Sequence, residues 1–101
     1  MNKEELNYIK ELKVGRSIYE YHDRSVGTIR LLIIYRGEGL FFQIEEKALI
    51  CEISARDGML SKESLKKWDN GSAIGAEDRE QLAALIVKYY TLSYKDALVV
   101  V

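Results

Sequence analysis

A single histidine is the first residue in this chain whose side chain suggests chemistry. His22 lies between Tyr21 and Asp23, and an imidazole tuned by a carboxylate is an arrangement that general bases use. Neighbouring residues on a strand, however, point to opposite faces of a sheet. The pattern therefore favours an exposed or strand-end histidine over a catalytic base.

A Glu-x-Lys step at Glu45 and Lys47 is the second candidate, because metal-dependent nucleases combine such a step with an upstream acid. It falls on a predicted hairpin turn, which favours a solvated turn. Cys51 is the only cysteine, so an intrachain disulfide and a multi-cysteine zinc site are excluded. Its place within a predicted strand favours a buried, inert thiol. We therefore expect no catalytic residue, no metal site and no cofactor, and hence not an enzyme.

The charge balance favours a protein partner over nucleic acid. The chain has 15 Lys and Arg against 16 Asp and Glu, whereas nucleic-acid binding depends on a basic excess. Residues 37–80 hold ten acidic and six basic residues, a local balance of −4. If these acids share a face, they suit a basic partner; the alternative is an ordinary solvated surface. The residues predicted to contact such a partner are Glu45, Glu46, Glu52 and Asp57.

The length of 101 residues suits one domain, residues 1–101, with one hydrophobic core. The longest apolar run, Leu82–Val87, is far short of the roughly 20 residues that span a bilayer. The N-terminus carries the polar and charged residues 2–5, with no apolar core of a signal peptide behind them. We expect a cytoplasmic protein that does not enter a membrane.

The hydrophobic pattern predicts a meander of strands and then a final strand. Apolar runs are separated by short glycine-containing or polar links, so consecutive strands should pair antiparallel. The predicted strands cover residues 17–22, 28–36, 40–44, 48–54 and 97–101. The strand over 28–36 should be buried on both faces, and the five consecutive apolar residues of 97–101 should form a well-covered strand. Residues 60–68 fit either an extended segment or a helical turn that Ser61 caps.

Two helices are predicted beside these strands. Leu82, Leu85, Ile86 and Tyr89 have the spacing of a helix laid against a sheet, which predicts a helix over 76–92 with Gly75 at its N-cap. A short helix is expected over 3–13, where Leu6, Ile9 and Leu12 lie near one face. The expected fold is α+β: an antiparallel sheet of four to five strands, with the C-terminal helix packed on one face and the short N-terminal helix at an edge or on the same face.

The C-terminal half resembles an immunity-protein family of bacterial polymorphic toxin and contact-dependent inhibition systems. The resemblance covers roughly residues 58–101. It rests on Glu63-Ser64-Leu65 followed by Trp68, on the turn at Gly71, and on an acidic start of the last helix that includes Arg79. It departs at Gly75, where such proteins often carry Ser or Thr.

The resemblance implies a cytoplasmic, non-enzymatic protein that binds and blocks the toxic C-terminal domain of a cognate toxin. It also implies structural roles for Trp68, which would cover the end of the core, and for Arg79, which would pair with an acid. A basic nuclease domain would suit the acidic residues named above. Two alternatives stay open: a small adaptor that self-associates through its strands, and a small metal-dependent enzyme using Glu45, Lys47 or His22. The sequence does not determine the oligomeric state.

Overall fold

The computed structural model describes residues 18–34, 38–54 and 56–101, and the helix predicted over 3–13 lies outside these ranges. The described residues form six strands, one 3-10 turn and one α-helix. The strands are β1 (Tyr19–Asp23), β2 (Gly27–Ile34), β3 (Gly39–Ile44), β4 (Lys47–Ser54), β5 (Met59–Leu60) and β6 (Val99–Val100). The 3-10 turn covers Lys62–Ser64, and the helix, α1, covers Ala76–Tyr94.

The predicted meander is confirmed over β1 to β4. These strands are neighbours in chain order, and each pair is antiparallel. Leu31 lies opposite Phe42, and Phe42 lies opposite Leu49, so apolar side chains line up across three strands on one face. Such cross-strand contacts are the main source of stability in a sheet.

The sheet differs from the prediction in its strand number and in its direction. Within the described ranges it has six strands in the order β1-β2-β3-β4-β5-β6, and β6 runs parallel to β5, so the sheet is mixed. A parallel pair needs a long crossover connection, and the chain between Leu60 and Val99 contains α1. The two-residue strands β5 and β6 are too short to give a periodic signal in the sequence, which is why the extra pairing was missed.

The helix α1 packs on one face of the sheet, as predicted. Its Gly75 N-cap is also confirmed, and the helix ends at Lys95, which adopts a left-handed conformation with φ 56°. No helix in the described ranges is long and apolar enough to cross a membrane. The first core cluster joins buried residues of the sheet and of α1, among them Ile29, Leu31, Leu40, Phe42, Leu49, Cys51, Leu82, Ile86 and Tyr89.

Tyrosine hydroxyls fix α1 to the first two strands. The Tyr21 and Ser93 hydroxyls hydrogen-bond at 2.7 Å. The Ile33 N–H donates to the Tyr94 hydroxyl at 2.9 Å, beyond the last pair that β1 makes with β2. Tyr94 of α1 thus satisfies a part-buried backbone donor of β2.

The opposite face of the sheet carries a second apolar cluster. Its buried members are Leu32, Ile34, Phe41 and Ala48, and Ile18 and Ile50 pack against them. Because β2 contributes buried residues to both clusters, the prediction that this strand is buried on both faces is confirmed.

Candidate functional site

A surface groove of about 540 Å³ opens where β4, β5 and β6 end. One part of its lining is acidic, with Glu38 and Glu52, and another part is apolar, with Met59 and Val101. Met59 is 37% exposed and Val101 is 61% exposed. Exposed apolar area beside charged side chains is characteristic of surfaces that bind other proteins.

The backbone beneath the groove is held by the segment that follows β5. The Glu52 N–H donates to Ser64 Oγ at 3.0 Å, and the Glu52 carbonyl accepts from the Ser61 N–H at 3.0 Å. The Ser64 hydroxyl in turn donates to the Ser61 carbonyl at 2.6 Å. Glu52 therefore presents an exposed carboxylate from a fixed backbone, and a fixed contact residue loses less entropy on binding.

The four acids predicted to contact a partner do not lie together. Glu45 and Glu46 form the turn between β3 and β4, whereas Glu52 lies near the other end of β4 and Asp57 follows that strand. An eight-residue strand such as β4 is about 23 Å from its first residue to its last. Glu52 instead lines the groove together with Glu38, which was not among the predicted contact residues.

Glu45 has a structural role in the β3–β4 turn. It adopts a positive φ of 51°, and its N–H donates to the Thr28 carbonyl at 2.8 Å. Its carboxylate accepts from the Thr28 N–H at 3.0 Å, which ties the turn to the start of β2. The Lys47 ammonium lies 5.7 Å from the centroid of the Trp68 ring, a cation–π distance. Both charged residues of the Glu-x-Lys step thus make contacts within the fold, Glu45 with Thr28 and Lys47 with Trp68.

The other candidate residues for chemistry are placed as expected. His22 is exposed on β1, and Cys51 is fully buried on β4. Burial raises the pKa of the Cys51 thiol to about 12, so the reactive thiolate is disfavoured. Among the described residues, no group of three or more His, Cys, Asp or Glu side chains is arranged to hold a metal ion.

The Asp23 carboxylate, on the side of the sheet that α1 covers, accepts hydrogen bonds from within the fold. The Asp23 carboxylate accepts from the Tyr89 hydroxyl at 2.5 Å and from the Ser25 N–H at 2.8 Å. The Tyr89 hydrogen bond is the main cause that lowers the pKa of Asp23. The same bond, with burial, raises the pKa of Tyr89 to about 12. Because these groups satisfy one another, they stabilise the fold and leave little capacity to bind a ligand.

The residues that carry the family resemblance hold the segment between β5 and α1. The Trp68 N–H donates to the Ser72 carbonyl at 2.9 Å, and Gly71 supplies the positive φ of 89° that this turn requires. Arg79 Nε donates to the Leu65 carbonyl at 3.1 Å. Among the described residues, the partner of Arg79 is thus a carbonyl group and not the acid that was expected.

The final strand is less covered than its composition predicted. Val99 is 59% exposed, close to the exposure of Val101. Val99 lies opposite Met59 in the parallel pair, so these apolar side chains lie on the same outward side. Alternate residues of a strand at the edge of a sheet face outward whatever their type. The sequence therefore predicted the strand and missed the exposed patch that it forms beside the groove.

The groove offers apolar contact area and two carboxylates, which complement a protein segment that carries Lys or Arg next to an aliphatic residue. Comparisons of the chain with protein-family models, with curated proteins and with solved structures find no match.

Proposed function

We propose that this protein is a non-enzymatic immunity protein, which binds and blocks the toxic C-terminal domain of a cognate bacterial toxin. The observation that supports this function best is the groove beside the exposed apolar residues Met59 and Val101. An exposed apolar surface is costly in water unless a partner covers it. The resemblance of residues 58–101 to an immunity-protein family supports the choice of a toxin as that partner.

The charges around the groove favour a basic contact surface on the toxin. Among the described residues, neither Glu38 nor Glu52 has an ion-pair partner. The nearby Lys62 ammonium is 2.6 Å from the Glu80 carboxylate and is therefore already paired. Exposed carboxylates such as these accelerate association with a basic surface and disfavour acidic competitors.

The residues of the resemblance would then act as a scaffold and not as contacts. Trp68, Gly71 and Arg79 hold the segment that leads from β5 to α1. That segment includes Ser61 and Ser64, which fix the backbone of Glu52. A shared scaffold with a variable contact surface is consistent with one family binding different toxins.

The test pairs this chain with the toxin domain encoded by the gene immediately upstream of its own. We expect co-expression to restore growth of a bacterial host that the toxin domain kills, and calorimetry to measure a complex. Reversing both groove charges, Glu38→Lys with Glu52→Lys, should weaken binding at least 10-fold at low salt. The deficit should shrink at 0.5 M salt, where surface charges are screened.

The matched control reverses a charge outside the groove. Glu46 lies on the β3–β4 turn, at the other end of β4, and Glu46→Lys should leave affinity within about twofold. Met59→Ala tests the apolar part of the contact, and its deficit should persist at high salt. If the unmodified chain neither protects cells nor binds the domain, the proposed function is wrong. If it binds and the groove variants bind equally well, only the proposed contact surface is wrong.

Self-association is a second candidate function, because β6 is an edge strand with exposed Val99 and Val101. Unprotected edge strands can pair with a second chain. Size-exclusion chromatography with light scattering at two concentrations a hundredfold apart distinguishes the candidates. A concentration-dependent dimer that Val99→Lys abolishes would support self-association.

A further inference from the structure

The groove exists because a small side chain lies between two larger ones on neighbouring strands. The pairing of β5 with β4 continues to Ser61, whose N–H donates to the Glu52 carbonyl at 3.0 Å. The pairing of β5 with β6 continues likewise, because Leu60 lies opposite Val100 and Val101 follows in the same parallel register. Ser61 therefore lies between Glu52 and Val101 on one face of the sheet. All three residues line the groove.

The space above Ser61 has the width of one unbranched side chain. Adjacent strands are about 4.8 Å apart, so the backbones at Glu52 and Val101 are separated by about 10 Å. A chain of methylene groups in van der Waals contact with both walls needs about 8 Å, which is two contacts of about 4 Å. Met59 precedes Ser61 by two residues and lines the groove on the same face, so it closes one end of this space.

The charge of the groove favours a side chain with a cationic end. Among the described residues, its lining includes Glu38 and Glu52 but no Lys, Arg or His. A neighbouring depression of about 320 Å³ shares Glu52 with the groove, but Lys66 there offsets one of its two carboxylates. A cation is therefore attracted more strongly to the groove than to the neighbouring depression.

We infer that the groove recognises one arginine side chain of the partner protein, with its guanidinium at Glu38 and Glu52 and its methylene stem over Ser61. Met59 and Val101 supply the apolar contact that the stem of a long charged side chain requires. Arginine suits the site better than lysine, because its planar group forms paired hydrogen bonds with carboxylates and is less strongly hydrated. Only the identity of the partner rests on the proposed function, since the groove would bind the same side chain in any protein.

A tripeptide probe tests the site without the toxin. The isotope-labelled full-length chain is titrated with acetyl-Ala-Arg-Ala-amide at low salt while its amide resonances are recorded. We expect saturable shifts at Met59, Ser61 and Val101 with a Kd of about 1–5 mM, the weak affinity that one anchoring side chain supports. The lysine peptide should bind at least about threefold more weakly, and the uncharged norleucine peptide should give no saturable shift. Equal binding of the arginine and lysine peptides, or no saturable shift with either, would overturn the assignment.

Two matched pairs of substitutions locate the bound peptide. Ser61→Leu fills the space between Glu52 and Val101 and removes no cap hydrogen bond from the 3-10 turn, whereas Ser72→Leu makes the same change on an exposed turn. Ser61→Leu should abolish saturable binding, and Ser72→Leu should leave the Kd within about twofold. Glu52→Gln keeps the shape of the side chain and should weaken binding at least about fivefold at low salt, against less than about twofold for Glu46→Gln. Unchanged binding by Ser61→Leu or Glu52→Gln would place the peptide elsewhere and overturn the assignment.

The toxin domain distinguishes a wrong site from a wrong function. If the unmodified chain binds the toxin domain and Ser61→Leu binds it equally well, the arginine site is wrong and the proposed function stands. If the arginine peptide binds in the groove and the toxin domain does not bind, the proposed function is wrong and the arginine site stands.

Discussion

Gly27, at the start of β2, provides the sharpest test of how the β3–β4 turn is tied to β2. Its φ of +93° is one that residues with a side chain rarely adopt. A Cβ atom built there would lie 1.8 Å from Glu45 Oε1, far inside contact distance. Gly27→Ala must therefore strain the backbone and also displace the Glu45 carboxylate from the Thr28 N–H.

The two effects have separable magnitudes. A positive φ at a residue with a side chain costs about 1–2 kcal/mol. Loss of a hydrogen bond from a backbone N–H to an exposed carboxylate costs about 0.5–1.5 kcal/mol. Gly27→Ala should thus lower the free energy of unfolding by about 2–3 kcal/mol, and Glu45→Ala by about 0.5–1.5 kcal/mol. Because Gly27→Ala already breaks the Glu45 bond, the double variant should be no less stable than Gly27→Ala alone.

Urea unfolding followed by Trp68 fluorescence and circular dichroism measures this double-mutant cycle. Wild type, both single variants and the double variant should share one m-value, so that shifts in the midpoint report stability. The coupling between Gly27 and Glu45 should be about 0.5–1.5 kcal/mol. Additivity within about 0.3 kcal/mol would show that Gly27→Ala does not disturb the Glu45 contact, and would refute the predicted displacement of the carboxylate. A Glu45→Ala variant as stable as the wild type would refute the structural role assigned to Glu45.

Three further outcomes are expected. The pKa of Asp23 is lowered below its usual 3.8 and that of Tyr89 is raised to about 12, so stability should fall as pH drops below 3.8 or rises from 10 towards 12. The pKa values of Cys51, Tyr90 and Tyr94 are raised as well, so Tyr89→Phe should reduce, and not abolish, the alkaline loss in urea midpoints measured across pH. Arg79→Ala breaks the hydrogen bond to Leu65 and should lower unfolding free energy by about 1–2 kcal/mol in urea, whereas Arg79→Lys restoring full stability would count against that bond. Cys51, buried with a pKa of about 12, should react with a thiol reagent only at the rate of unfolding.

Most of the local structure followed from the sequence. The strands β2, β3 and β4 and the helix α1 each lie within about two residues of their predicted bounds, because long runs with one hydrophobic period specify both the element and its buried face. The turn at Glu45 and Glu46 was also predicted, since a short polar link between two apolar runs favours a hairpin. The sequence did not predict that Glu45 would adopt a positive φ and bind Thr28.

The candidate site was only partly predictable. Glu52 was identified from the local excess of acidic residues, but Glu38 and Met59 were not, because they belong to the ends of different strands. A count of acidic residues along the chain does not show at which end of a strand each one lies. Glu45 lies in the turn before β4 and Glu52 near the far end of β4, so only Glu52 reaches the groove. The exposed side of β6 was missed because five consecutive apolar residues give no indication of which side chains face outward.

By itself the sequence determined the class of fold, the antiparallel meander and the apolar face of the last helix, because these depend on contacts between residues near in sequence or on hydrophobic period. Only the tertiary structure decided that β6 pairs parallel with β5 and that Glu38 and Glu52 line one groove. These features join residues whose separation along the chain carries no periodic signal. The position of β6 beside β5, and with it the groove, depends on how α1 crosses the sheet between Leu60 and Val99.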